Sequence, residues 1–273
     1  MIINHWKKIA IPCITVFVIY GIVSSVYQEF NYHAFEHHLT LGMDVFYRIQ
    51  QPGLHIWYFL ILSCTIPIVS SLTYFVARKS KHQNYIICRI GYKNYVKKNI
   101  ISIFIFTFFF RLFCSVVLLL IINFFFSPIH FVNGSVIYEP TIYAYSNNML
   151  ISLLTYLLYS CLGTAIFGIF IYSLGYFIKN LYLYLVTGLL CAIIGIVGVS
   201  LFMGVLGFLP EVLTNIIGAM FFSETLLVPG VELIGTIDSY FNCHIIFLIT
   251  SFGYTLLTII LLHFGISKEY RRG

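Results

Sequence analysis

Charge is scarce in this chain: 9% of its 273 residues are Asp, Glu, Lys or Arg, whereas 60% are apolar. With a mean hydropathy of +0.96 and an aromatic content of 18%, it has too little polar surface for an ordinary soluble globule, so its solvent is largely lipid. Acids are the rarer sign, nine against 15 Lys and Arg, and none falls inside a long apolar run. That absence disfavours an ion-driven transporter, which would need intramembrane carboxylates for a proton relay. The sequence has no Gly-x-x-x-x-Gly-Lys-Ser/Thr to cradle nucleotide phosphates, no Gly-x-Ser-x-Gly nucleophile motif and no Cys-x-x-Cys pair. Its seven cysteines, Cys13, Cys64, Cys88, Cys114, Cys161, Cys191 and Cys243, are scattered, which gives neither a disulfide framework nor a zinc ribbon.

What the chain does have is a series of apolar runs of 19 residues or more. At 1.5 Å rise per residue, each is long enough to cross a hydrocarbon core of about 30 Å. They predict six spans, at residues 9–27, 55–77, 101–126, 147–173, 182–208 and 244–265. The expected fold class is therefore an all-α membrane protein, with one transmembrane domain over residues 1–273. Lys7 and Lys8 ahead of the first run resemble the start of a signal peptide, but the run is too long and lacks an Ala-x-Ala site, so an uncleaved helix is expected.

The few charges set the expected orientation. With six spans, Lys7, Lys8, the seven cations from Arg78 to Lys98, Lys179, Lys268, Arg271 and Arg272 all share one side. By the positive-inside rule that side is cytoplasmic, and both termini face inward. Eight of the nine acids (Glu29, Glu36, Asp44, Glu139, Glu211, Glu224, Glu232 and Asp238) fall on the other side. The net charge of +6 thus arises from membrane topology and does not point to nucleic acid. The outer side carries loops at 28–54, 127–146 and 209–243. The third loop contains two semi-apolar stretches, 211–222 and 226–235, too short to span and punctuated by Pro210 and Pro229; interfacial or re-entrant helices are expected there.

Seven of the 15 cations fall between Arg78 and Lys98. From Gln83 to Lys98 the pattern is helical, broken only by Gly91. Tyr85, Cys88, Tyr92 and Tyr95 stand at i, i+3, i+7 and i+10, which predicts one aromatic face, with Arg89, Lys93 and Lys97 recurring on a neighbouring face. A purely topogenic loop would touch anionic lipid at roughly 1 kcal/mol per cation, yet it needs no ordered aromatic seam. A short amphipathic helix that docks into a groove on a soluble partner accounts for both features.

Residues 89–95, "RIGYKNY", set between spans two and three of a six-span chain with both ends inside, resemble the coupling-helix region of ABC-transporter permeases of the type-2 exporter family. The layout is also similar, with one main cytoplasmic loop and a semi-apolar outer segment between spans five and six. The resemblance implies two permease chains paired in the membrane, this one with a copy or a relative. Each would rest its coupling helix on a separate cytoplasmic ATPase subunit that binds ATP and Mg. Tyr85, Arg89, Gly91, Tyr92, Lys93, Tyr95 and Lys97 would form the docking surface. This chain would hydrolyse no ATP and hold no cofactor; it would move an amphipathic peptide, lipid or drug outward across the bacterial plasma membrane. The family often has an amphipathic helix before span one, for which "MIINHWKKIA" leaves little length.

Other residues carry separate possibilities. His33, Glu36 and His37 match His-x-x-Glu-His, in which two imidazoles on one helical face hold zinc and the Glu activates water. No third ligand is identifiable, so no metal is assigned to these three residues, and a membrane zinc protease is the lesser alternative, beside a non-catalytic immunity or sensor protein. Arg111 lies inside span three, where an arginine costs upward of about 3 kcal/mol. A backbone carbonyl partner or snorkelling is one reading, contact with a substrate or lipid anion the other. Pro67 should kink span two. The small residues of 160–168 and 195–200 let helices approach closely, either within the chain or at a dimer seam.

Overall fold

The apolar runs fold as helices around one central helix. The computed structural model describes residues 16, 18–28, 42–50, 56–79, 82–125, 128–129, 131, 145–146, 148–198, 201, 204–205, 210–230 and 242–270. Among these residues the regular elements are all helical: α1 (Val18–Gln28), α2 (Gly42–Gln50), α3 (Ile56–Lys79), α4 (His82–Ile90), α5 (Tyr92–Phe125), α6 (Met149–Leu174), α7 (Leu181–Ile193) with a π turn Ile194–Gly198, α8 (Glu211–Phe221), α9 (Glu224–Leu227) and α10 (Cys243–Tyr270). Five of them, α3, α5, α6, α7 with its π turn, and α10, are long and apolar enough to cross a membrane, so the chain is a multi-pass membrane protein. Of the first expected span, only α1 is described, an apolar helix too short to cross by itself. Val18, Ile22 and Val26 bury one face of it, and Gly21 lets it sit against Ile61 of α3.

The helix starts and stops follow from particular side chains. Asn148 caps α6, its Oδ1 accepting from the amides of Leu150 and Ile151 at 3.0 and 3.3 Å; Asn180 caps α7 by accepting from Tyr182 at 2.9 Å. Each cap satisfies amides that have no intrahelical partner. Only six residues lie between α6 and α7, which makes them antiparallel neighbours. The third span is longer than its apolar run. α5 has 34 residues, about 51 Å at 1.5 Å per residue, roughly 20 Å more than a hydrocarbon core. It therefore begins at Tyr92, well before residue 101, and carries Lys93 and Lys97 on the same rod as the span.

Close packing explains the small residues and Pro67. Pro67 has no amide to offer the Ser63 carbonyl, and Gly188 of α7 lies against that carbonyl and the proline ring, with no room for a methyl group. Pro67 thus sits at a helix contact as well as at a break in the ladder. Gly163 of α6 faces the Leu226 carbonyl, Gly168 faces Thr107 of α5, and Gly195 of the π turn faces Ser223. The small residues near 163 and 195 therefore serve contacts within this chain. On α5, Ile101, Ile105, Phe109, Phe113, Val116, Leu120 and Phe124 are exposed and recur every three or four residues, marking its lipid-facing stripe.

The short helices are buried where the sequence suggested outer loops. The α2 side chains Met43, Phe46, Tyr47, Ile49 and Gln50 are all nearly inaccessible, so part of the expected 28–54 loop is core. Burial of such a loop requires its polar groups to be satisfied internally, and Gln50 is the residue that does this. Residues 222–230 are likewise buried throughout. They descend to the level of Gly163, near the middle of α6, and are tied there by hydrogen bonds. Ser223 Oγ donates to the Ala192 carbonyl at 3.0 Å, Thr250 Oγ1 to Ala219 at 2.6 Å and Tyr254 to Phe221 at 3.1 Å.

Candidate functional site: a basic elbow and a buried arginine

Between α3 and α5 the chain forms an elbow. α4 ends at Ile90, and Gly91 takes the left-handed conformation, φ 79°. Its amide donates to Ile87 O at 2.8 Å and its carbonyl accepts from Tyr95 N at 3.0 Å. One residue thus closes one helix and opens the next. A Cβ at Gly91 would meet nothing within 4 Å, so the demand for glycine is conformational.

The elbow corrects the expectation of one helix over 83–98. Gly91 resets the register, and the four aromatic-face residues part company. Tyr85 is 75% exposed and Cys88, Arg89, Lys93 and Lys97 are exposed, while Tyr92 is half-buried and Tyr95 is only 6% exposed. Tyr85 and Cys88 therefore belong to the exposed face of α4, and Tyr95 belongs to the bundle. The exposed part is a basic surface with one large aromatic ring. No Asp or Glu occurs in the sequence from residue 45 to 138, so no acid on α4 or α5 itself offsets its charge.

Beneath the elbow lies an aromatic cage that sequence reasoning did not single out. Arg78, near the end of α3, donates from Nη2 to the carbonyl of Gly175 at the end of α6. Its guanidinium lies 4.6 Å from the Tyr176 ring centroid and 5.6 Å from that of Phe75, within cation–π range. Tyr95 lines the same small pocket. One turn further along α5, Asn99 donates to the Tyr172 hydroxyl at 3.3 Å, which is 2.9 Å from that of Tyr176. The start of α5 is thereby joined to the ends of α3 and α6. An arginine near the end of α3, preceded by Tyr74 and Phe75, was the available signal, hidden beside six other cations.

Arg111 is the second polar feature. It is fully buried and held by α2, α3 and α9 together. Nη1 donates to the Tyr58 hydroxyl at 2.8 Å, and Nη2 donates to Gln50 Oε1 at 2.7 Å and to the Leu227 carbonyl at 3.2 Å. Tyr156 of α6 donates to the same Gln50 oxygen at 2.8 Å, and Gln50 Nε2 donates to Phe46 O at 3.0 Å. Two donors converging on one amide oxygen fix the orientation of Gln50. The Tyr58 ring centroid is 5.7 Å from the guanidinium carbon. A cation is thus accommodated by neutral acceptors and an aromatic face, with Arg111 Nε left without a partner. Of the two readings of Arg111, the carbonyl partner is present, and neither lipid nor solvent reaches the side chain in this arrangement.

Above this cluster, outside the spans, burial pushes the Tyr145 phenol well above its ordinary value, so it stays protonated at physiological pH. The His33, Glu36 and His37 motif lies outside the described residues, and among the described residues no group of three or more His, Cys, Asp or Glu could hold a metal ion. Comparison of the chain with protein-family models, curated proteins and solved structures finds no match.

Proposed function

We propose that this chain is the membrane permease subunit of an ATP-driven exporter of the type-2 ABC kind. In this reading α1 belongs to a sixth span, both termini and the elbow are cytoplasmic, and α8 and α9 form a re-entrant segment entering from outside between spans five and six. The exposed basic elbow between α3 and α5 carries the proposal. It is the part of the described chain that combines exposed cations, an exposed Tyr85 and a rigid continuation into a span. Arg89 and Tyr85 on α4, with Lys93 on the following turn, would meet a separate ATPase subunit, which binds ATP and Mg.

The elbow also has a mechanical route inward. A force on α4 acts on Gly91 and the first turns of α5, which are fastened to α3 and α6 through Tyr95, Arg78, Asn99 and Tyr172. Movement at the ATPase would therefore shift several spans together, as an alternating permease requires. A second permease chain would supply the other half of the pathway, and an amphipathic substrate is the class that the family resemblance implies. Purification in mild detergent should bring down an ATPase subunit, and Arg89→Glu with Lys93→Glu should release it. Recovery of the wild-type chain alone, with no ATPase gene beside its own, would favour the immunity or sensor reading instead.

A further inference from the structure

From the geometry of α5 we infer a discrete binding site for one anionic glycerophospholipid, with its phosphate on Lys97 and Lys98 and its acyl chains in the groove that runs from Ile101 toward the bilayer. Two grooves flank Ile101. The first, of about 360 Å³, lies between α5 and α10 at the level of Lys93 and Lys97 and is lined by Tyr92, Val96, Ile100 and Ile266. The second, of about 430 Å³, runs along α5 past Ile105 and Phe106 and is the one that reaches the hydrocarbon edge. Lys97 and Ile101 line both.

Depth and chemistry point to the same occupant. Measured from Phe125 at 1.5 Å per residue, Ile105 lies about 30 Å away, at the far edge of a hydrocarbon core, and Lys97 about 42 Å away, in the headgroup layer. Ile101 is between them. Lys97 and Lys98 stand one turn before Ile101, and helical side chains lean toward the N-terminus, so both ammonium groups reach back from Ile105 and Phe106 toward the headgroups. Both are exposed. An acid on a neighbouring turn would neutralise them, but the sequence has none from residue 45 to 138. A soluble protein would need to insert apolar side chains below the membrane surface to fill the second groove, whereas a phospholipid is already at that depth. The inference depends on α5 and its membrane level, not on the transport reading.

The test is native mass spectrometry of the detergent-purified full chain with phosphatidylglycerol and with phosphatidylcholine carrying the same acyl chains. Preferential retention of phosphatidylglycerol is expected. At roughly fivefold in affinity for each lysine, Lys97→Gln with Lys98→Gln should weaken it about twenty-five-fold. Arg89→Gln, an equal loss of charge per site on α4, should change it less than about twofold. Ile101→Trp, which fills the second groove from an exposed position and leaves the charge unaltered, should also lose the lipid. Equal retention of the two lipids, an equal loss in Arg89→Gln, or full retention in Ile101→Trp would each overturn the site. So would displacement of the lipid by glycerol phosphate at matched concentration, which indicates a phosphate site alone, or loss of a bound ATPase with undiminished lipid in the lysine variant.

Discussion

Replacing Gln50 by Leu tests the buried arginine cluster most sharply. The side chain is fully buried, and its Oε1 accepts from both Arg111 and Tyr156, at 2.7 and 2.8 Å. Leucine has similar bulk but no acceptor. A hydrogen bond to a charged group contributes about 1.5–3 kcal/mol, and an interhelical bond between neutral groups in a membrane averages about 0.6 kcal/mol. The expected cost of Gln50→Leu is therefore about 3 kcal/mol, most of it the guanidinium left with one acceptor fewer. Arg111→Met should cost a comparable amount, because Leu227 O and Gln50 Oε1 each lose a donor. The double variant should recover about 2 kcal/mol of the summed loss, since neither member then strands the other. The assay is SDS titration of protein in mixed micelles, with the folded fraction read by protease resistance. A cost for Gln50→Leu no greater than about 0.6 kcal/mol, or single costs that simply add in the double variant, would refute the claim that Gln50 compensates a buried charge.

Further predictions concern the backbone and the surface. Gly91→Ala should cost about 1–2 kcal/mol by forcing a Cβ into the left-handed region, with Gly91→Asn milder; hydrogen exchange over 82–95 reads the difference, and equal protection in all three proteins would contradict a conformational role. Gly163→Ala should destabilise by about 1–3 kcal/mol, because a methyl group there overlaps the Leu226 carbonyl, and should raise protease cleavage within 222–230; an unchanged digest argues against burial of that segment. Cys88, exposed on α4, should react with an impermeant maleimide in inside-out vesicles and not in intact cells, whereas buried Cys114 should stay unlabelled in both. Labelling of Cys88 in intact cells would reverse the proposed orientation.

Hydropathy made the long helices legible, because a membrane-length stretch of each of α3, α5, α6, α7 and α10 is apolar whichever side faces lipid. It did not fix where α5 begins, since the added turns carry lysines and are held by Tyr95 and Asn99 against α3 and α6. Gly91 was visible as a breaker, but its left-handed backbone and the resulting change of register depend on φ, which residue spacing does not reveal. Arg111 was recognisable as a costly residue, while Gln50 was not recognisable as its partner. It is neutral, lies 61 residues away and sits in a stretch whose mixed polarity suggested solvent. Met43, Phe46 and Gln50, spaced three and four apart, lie on one buried face of α2. The small residues near 163 and 195 announced close contacts; only the fold identifies their partners, Leu226 and Ser223.

The central claim, that the α4 elbow grips a motor subunit, is tested most directly at Cys88, adjacent to Arg89. A thiol-coupled photo-crosslinker on Cys88, activated in native membranes, should join this chain to an ATPase polypeptide, with no such adduct in Cys88→Ser and a diminished one in Arg89→Glu. Adducts to lipid alone, or to proteins on the outer face, would contradict it.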